Sequence, residues 1–253
     1  MHLRSWIICS DPVPFSLYYK FKNIKVEQKE NRRLVVFEMD ETLLRGRFIE
    51  ACANKFLFDD ELACLKNTIA DPAALVKSIA KLFKGLTRDQ LLLVVSRMTI
   101  IDETVKVVRE LQKEGAIVGI ISESYQFAVD YVKNILGADF GIGNRLEFVD
   151  DKATGDVTIP AYLFYKGDKH CEHDYCKTNA MVFTAGNYNV SIEDTMAIGA
   201  TTNDLCMIRH SGTGFAFCTK SQELRQHAYK TIDKLSFASL LNEGHFTAST
   251  RYS

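Results

Sequence analysis

The chain has 253 residues with 31 basic and 32 acidic side chains, 47% hydrophobic and 25% charged, the profile of a folded protein with ample material for a core. A formal net charge of −1 leaves no basic footprint for nucleic acid and no polybasic patch for an anionic membrane. Four prolines and fourteen glycines, with no repeat or biased tract, argue against a long disordered region or a solenoid.

The apolar run near Met1–Cys9 is too short for a signal-peptide core, and no stretch approaches the roughly 18 apolar residues of a membrane span, so a cytoplasmic location is expected. Residues 1–33 end in the charged stretch 25–33 and read as a solvated lead-in. Leu34-Val35-Val36-Phe37 is a continuous β-branched-rich run, as expected of a parallel strand buried on both faces. The acidic segment Glu38-Met39-Asp40-Glu41-Thr42 follows at once.

From 48 to 98 apolar residues recur at three- and four-residue spacing, with Leu75, Ile79, Leu82, Phe83 and Leu86 forming one stripe, which predicts an all-helical insert. Asp102-Glu103 opens a helix that Gly115 closes, and 117–121 is a second buried strand with Ser122 at its carboxyl end. A helix is predicted over 126–136 and a hairpin over 146–159 around Asp150-Asp151-Lys152. A helix near Lys177 then leads to a third strand, 195–199, the segment Ala200-Thr201-Thr202-Asn203-Asp204, another helix and a last strand near 214–217. Alternating strands and helices predict a parallel sheet covered by helices, with ligands beyond the carboxyl ends of its strands.

Three strand ends thus deliver Glu38 with Asp40, Ser122, and Asn203 with Asp204 to one edge, and Lys177 arrives from the helix before the third. Hard oxygen ligands can hold Mg²⁺ while Lys and Ser hold phosphoryl oxygens, and a carboxylate there can act as a nucleophile. Taken singly, Asp40 and Asp204 read as helix caps, Ser122 and Asn203 as turn residues, and Lys177 as a surface lysine.

Glu38-Met39-Asp40-Glu41-Thr42 resembles the first motif of the haloacid dehalogenase (HAD) superfamily, Asp-x-Asp-x-Thr after a hydrophobic strand. Ile120-Ile121-Ser122 resembles the second, Lys177 the third, and Gly199-Ala200-Thr201-Thr202-Asn203-Asp204 the fourth, usually Gly-Asp-x-x-Asn-Asp. Gly137-Ala138-Asp139-Phe140, Asn144-Arg145-Leu146-Glu147 and Thr154-Gly155-Asp156-Val157 are similar to the phosphoserine phosphatase-like branch. The four motifs stand in order from about 34 to 241. The resemblance implies an α/β fold: a HAD-type, Rossmann-like parallel sheet (34–45 and 99–241), a helical cap (46–98) inserted after the first strand, a small β-hairpin and a tail (242–253).

It further implies Mg²⁺-dependent hydrolysis of a small phosphorylated metabolite through a carboxylate-phosphate intermediate. Glu38 would be nucleophile and metal ligand, and Asp40 general acid and base with its carbonyl on the metal. Thr42, Ser122, Lys177 and Asn203 would hold substrate or phosphate, and Asp204 the metal. Two departures imply reduced turnover and weak Mg²⁺ binding. Glu38 adds a methylene to the nucleophile, and Ala200 stands where the family has a metal-ligating Asp. The alternative is an inactive pseudo-phosphatase that serves as a phosphate-binding or regulatory domain.

Arg47 takes the place of the acidic residue with which phosphoserine phosphatases receive the substrate ammonium, and the cap arginine falls near Ile79, with Lys77 the nearest cation. A substrate with a second anionic group is therefore expected in place of phosphoserine. The seven cysteines, Cys9, Cys52, Cys64, Cys171, Cys176, Cys206 and Cys218, are scattered and expected to be reduced. The cluster His170-Cys171-Glu172-His173-Asp174-Tyr175-Cys176 holds zinc-type ligands, but no second paired cluster accompanies it, and it reads as a polar loop feeding the Lys177 helix.

Overall fold

The computed structural model describes residues 32–164 and 172–243. Most of the 1–33 lead-in and of the 242–253 tail, together with Cys9, His170 and Cys171, lies outside the described residues. The first strand, β1 (Leu34–Phe37), is fully buried, as its unbroken apolar run requires. Four helices follow: α1 (Phe48–Phe56), α2 (Asp59–Thr68), α3 (Pro72–Leu82) and α4 (Arg88–Ser96). Asp71 caps α3 by accepting the Ala74 N–H at 2.6 Å, with Pro72 in the first turn, and α4 opens on a Thr87/Gln90 capping box.

Next come α5 (Thr104–Lys113), β2 (Ile117–Tyr125) and α6 (Gln126–Leu136), which ends where Gly137 takes φ +68°, a left-handed conformation that favours glycine. β3 (Phe140–Val149) and β4 (Lys152–Thr158) form the predicted hairpin. The hairpin is larger than expected, because β3 starts at Phe140 and its first half pairs parallel with β2. The chain continues through α7 (Lys177–Tyr188), β5 (Thr195–Gly199), α8 (Leu205–His210), β6 (Thr213–Phe217), α9 (Gln222–His227) and the three-residue β7 (Lys230–Ile232).

The seven strands form one sheet in the order β4-β3-β2-β1-β5-β6-β7, parallel except for the β3–β4 pair. Its centre is β1, flanked by β2 and β5, so the chain winds outward in both directions and opens a crevice at the carboxyl ends of these strands. Phe237, beyond β7, stacks on Phe217 at 4.3 Å and meets Phe37 edge-on, tying residues after the last strand to the core.

The helices between β1 and β2 share the buried apolar cluster of the sheet through Phe48, Leu62, Ile79, Phe83, Leu91 and Val95. Backbone bonds tie them to the hairpin as well: Gly85 N–H donates to the Ala153 carbonyl, Ala153 N–H to that of Leu86, and Arg88 N–H to that of Asp151. Phe83 and Phe127 both pack on Tyr125, at 4.9 and 6.1 Å between ring centroids. The first pair is edge-on and the second stacked, and such aromatic pairs contribute about 0.5–1.5 kcal/mol beyond area burial. The helical segment is therefore seated on the β2–α6 corner, directly above the strand ends. Among the described residues, no helix is long and apolar enough to cross a membrane.

Candidate active site

At the end of β1, the Glu38 N–H donates to the Ile198 carbonyl of β5 at 2.9 Å, fixing the strand end against its neighbour. The chain then makes a tight turn in which Glu41 has φ +58° and the Leu44 N–H closes onto the Met39 carbonyl at 2.9 Å. This turn drives the Glu38 side chain inward. Its Oε1 accepts the Ser122 hydroxyl at 2.6 Å and the backbone N–H groups of Met39 and Asp40 at 3.0 and 3.4 Å. Its Oε2 takes the Lys177 ammonium at 2.5 Å.

Lys177, the first residue of α7, bridges at the same distance to Asp204 Oδ1. Asp204 Oδ2 in turn accepts the N–H groups of Ala200 and Thr201 and the Thr201 hydroxyl. Gly199 is required for this approach, since a Cβ there would stand 2.4 Å from the Asp204 Cβ. Glu38, Ser122, Lys177 and Asp204 thus form one buried network built from three strand ends and a helix. It sits on a cavity of about 1010 Å³, into which Asp40, Arg47, Glu123 and Asn203 also project.

The network is short of positive charge. Burial pushes the Glu38 carboxyl up, partly countered by Lys177, and pushes Glu123 up as well, with Glu38 and Asp204 adding to the rise. Against the desolvation that would strip its proton, the carboxylates of Asp204, Glu38 and Glu123 hold Lys177 protonated well above its ordinary range. Asp40 is raised to about 7, first by burial and then by the Glu38 charge. Its Oδ1 accepts the Phe48 N–H at 2.9 Å, so it also caps α1.

Asn203 donates to Glu123 at 3.3 Å, and Asn144 donates to the Glu123 carbonyl at 2.6 Å and to the Tyr175 hydroxyl at 3.2 Å. Glu123 therefore belongs to the centre; the sequence marks it as an added acid beside the second motif but gives it no catalytic or metal role. Thr42 differs from the expectation: it is fully buried, its hydroxyl has no partner among the described residues, and it does not line the cavity.

The charges above the centre also differ. Arg47 is not an open guanidinium, because it pairs with Glu41 at 2.7 Å and with Glu50 at 3.6 Å, and Glu50 pairs with Lys66 at 2.7 Å. Lys66 lines the cavity beside Ile79 whereas Lys77 does not. Within the 46–98 segment, the helical cation that lines the cavity is thus Lys66 of α2, since α3 turns Ile79 inward and leaves Lys77 exposed.

The haloacid dehalogenase-like hydrolase family pattern matches residues 35–209. A phosphoserine phosphatase from Methanocaldococcus jannaschii is 27% identical over 221 residues, covering 84% of this chain and 98% of that protein. Another from Archaeoglobus fulgidus is 28% identical over 214 residues, covering 83% of this chain and 59% of its own length. Among solved structures, a phospho-aspartyl intermediate analogue of phosphoserine phosphatase superposes with a TM-score of 0.70 at 25% identity, over 85% of this chain and 99% of that one.

Proposed function

The chain belongs to the haloacid dehalogenase-like hydrolase family, and on that premise we propose that it hydrolyses small phosphomonoesters, with the Glu38 carboxylate taking the phosphoryl group. The observation that carries this reading is the network itself: a nucleophile-type carboxylate held by a hydroxyl and an ammonium, beside an acid raised to about 7. In the reaction, a Glu38 oxygen bonds to phosphorus as the ester P–O bond breaks, and Asp40 gives its proton to the departing alkoxide. Asp40 then takes a proton from the water that attacks the same phosphorus, which frees Glu38 and inorganic phosphate. Ser122 and Lys177 turn from Glu38 to the phosphoryl oxygens, where Lys177 offsets their charge. Residues 46–98 act as the cap that closes over the cavity and selects substrate.

The donor set fits a divalent cation. Glu38, Asp40 and Glu123 are hard oxygen donors, all pushed up around one ammonium, and added positive charge relieves them. Glu38 and the Asp40 carbonyl would hold Mg²⁺, with Glu123 replacing the carboxylate lost at Ala200. When bound, the ion supplies charge neutralisation at the phosphoryl oxygens. Glu38 and Asp204 are each already engaged by four donors, so either must release bonds in order to hold an ion. Few open ligands make the binding weak.

Replacing Asp40 tests the proton-transfer assignment. Asp40→Asn should lower kcat/KM for an alkyl phosphate by about 10²–10⁴-fold and remove the loss of activity as pH rises through 7. An aryl phosphate, whose leaving group needs little protonation, should lose less. A folded Asp40→Asn protein with the parental pH profile on both substrates would overturn the role.

A second anionic group on the substrate remains the better match. Arg47 is partly neutralised by Glu41 and Glu50, so its pull on that group is weaker than an unpaired guanidinium would exert. No carboxylate stands at position 47 for an ammonium, however, and Lys66, itself paired with Glu50, and Arg209 add further cations to the wall. Phosphoglycolate should therefore bind the unmodified protein at least about tenfold more tightly than phosphoserine, a difference of about 1.4 kcal/mol. Competition binding that ranks phosphoserine first would reverse this assignment and give Glu50 the ammonium-binding role.

A further inference from the structure

A second group of reactive side chains lines the same cavity and plays no part in the phosphoryl chemistry. His173 and Cys176 lie in the approach to α7 and Cys206 in the first turn of α8, yet one ligand atom from each lies within 4.8 Å of those of the other two. Cys206 Sγ is also 3.5 Å from His210 Nδ1, one helical turn on, and that nitrogen lies 2.8 Å from the Cys206 carbonyl. Cys176 Sγ is 3.3 Å from the Thr178 hydroxyl. Neither Cys176 nor Cys206 is in a disulfide.

From this geometry we infer that His173, Cys176 and Cys206 form a zinc site in the cavity wall. Two sulfurs and an imidazole are soft to borderline ligands, which select Zn²⁺ over Mg²⁺ and Ca²⁺, the reverse of the oxygen set around Glu38. Zn–S bonds of about 2.3 Å and Zn–N bonds of about 2.0–2.1 Å put tetrahedral ligand atoms roughly 3.4–3.8 Å apart. The ligand atoms, within 4.8 Å of one another, therefore need to draw together by about 1.4 Å at most. The exposed His173 side chain can supply that movement, while the buried Cys176 and the helical Cys206 form a fixed pair of arms. His210 and Thr178 support the two sulfurs from outside, as partners of metal ligands commonly do.

Three protein ligands leave a fourth position for water or an anion. Cys176 directly precedes Lys177, and Cys206 follows Asp204 by two residues. A zinc ion would thus brace the two segments that deliver the Lys177–Asp204 pair. The inference stands on the donor cluster alone and is independent of the phosphatase reading.

The test uses the reduced full chain, with Co²⁺ as a spectroscopic stand-in and Zn²⁺ in competition with a chromogenic chelator. One Zn²⁺ per chain is expected, and the Co²⁺ form should show thiolate-to-cobalt charge-transfer absorption with tetrahedral visible bands. Supporting partners of metal ligands are commonly worth about 10–100-fold in affinity, so loss of a direct ligand in Cys206→Ser, Cys176→Ser or His173→Ala should cost at least as much. Cys64→Ser, on the exposed face of α2, should leave the spectrum unchanged. His173 is exposed, so its variant reports on the metal without disturbing the core. Absence of the charge-transfer band, or its survival at full intensity in both Cys206→Ser and His173→Ala, would overturn the inference.

Discussion

Glu38→Asp combined with Ala200→Asp is expected to raise the turnover of an aryl phosphate by on the order of 10²-fold or more, exceeding the sum of the two separate gains. The extra methylene of Glu38 carries its carboxylate on the order of 1 Å beyond the reach of an aspartate, and such a displacement of a reacting atom costs about 10²-fold. In the structure the excess length is taken up by bonds to Ser122, Lys177 and two backbone N–H groups, which hold the carboxylate as a bound anion. Ala200 contributes its N–H to Asp204 but no side-chain oxygen to the centre. Each single repair leaves the other part of the site wrong, so the gains are coupled. A double variant that folds and is as slow as the parent would remove these two positions as the limit on turnover.

Lys177→Met should cost about 3–5 kcal/mol of stability at neutral pH, measured by urea unfolding, because it leaves two buried carboxylates without their cation. Lys177 is 3% exposed, Glu38 4% and Asp204 0%, so water cannot take over the role of the ammonium. The pH dependence has a definite sign. Burial raises the folded-state pKa of Glu38, and without Lys177 the chief opposing influence is gone, so the folded protein binds protons more readily. Its stability must then fall as pH rises above the ordinary carboxylate range and recover as pH drops back through it. The deficit against the parent should accordingly be larger at pH 8 than at pH 5. A deficit below about 1 kcal/mol, equal at both pH values, would show that the pair is not the buried keystone described above.

Much of this architecture is legible in the sequence because continuous apolar runs are hard to place anywhere but in a buried parallel sheet. Residues 34–37, 117–121 and 195–199 are such runs, and Gly115 and Gly137 mark the helix ends beside them. The first half of β3 is not legible, since Phe140-Gly141-Ile142-Gly143 carries two glycines in four residues and finds its strand only by pairing with β2. β7 is three residues long and has too little pattern to detect.

In the site, Glu38, Ser122, Lys177 and Asp204 could be expected together because strand order brings their backbone ends to one edge. Side-chain pairing is a different matter. The neutralisation of Arg47 by Glu41 and Glu50 depends on the turn after β1, and the choice of Lys66 over Lys77 depends on how α2 and α3 cross. Of the thiol–imidazole group, His173 and Cys176 stand in a cluster that the sequence marks as zinc-type ligands, but the third donor, Cys206, lies 30 residues beyond Cys176 in a different element. The Cys206-x-x-x-His210 spacing, one helical turn, is the signal that could have drawn attention to it.

We propose that Glu38 and Asp40 still turn over a phosphomonoester with a weakly held metal. This turnover is tested most directly by steady-state hydrolysis of an aryl phosphate by the unmodified protein across a Mg²⁺ titration. The expected result is a slow rate, absent with chelator, that keeps rising into the millimolar range of Mg²⁺ and disappears when Glu38 is changed to Gln. A folded protein with no rate above background at any Mg²⁺ concentration, or an equal rate in Glu38→Gln, would contradict it.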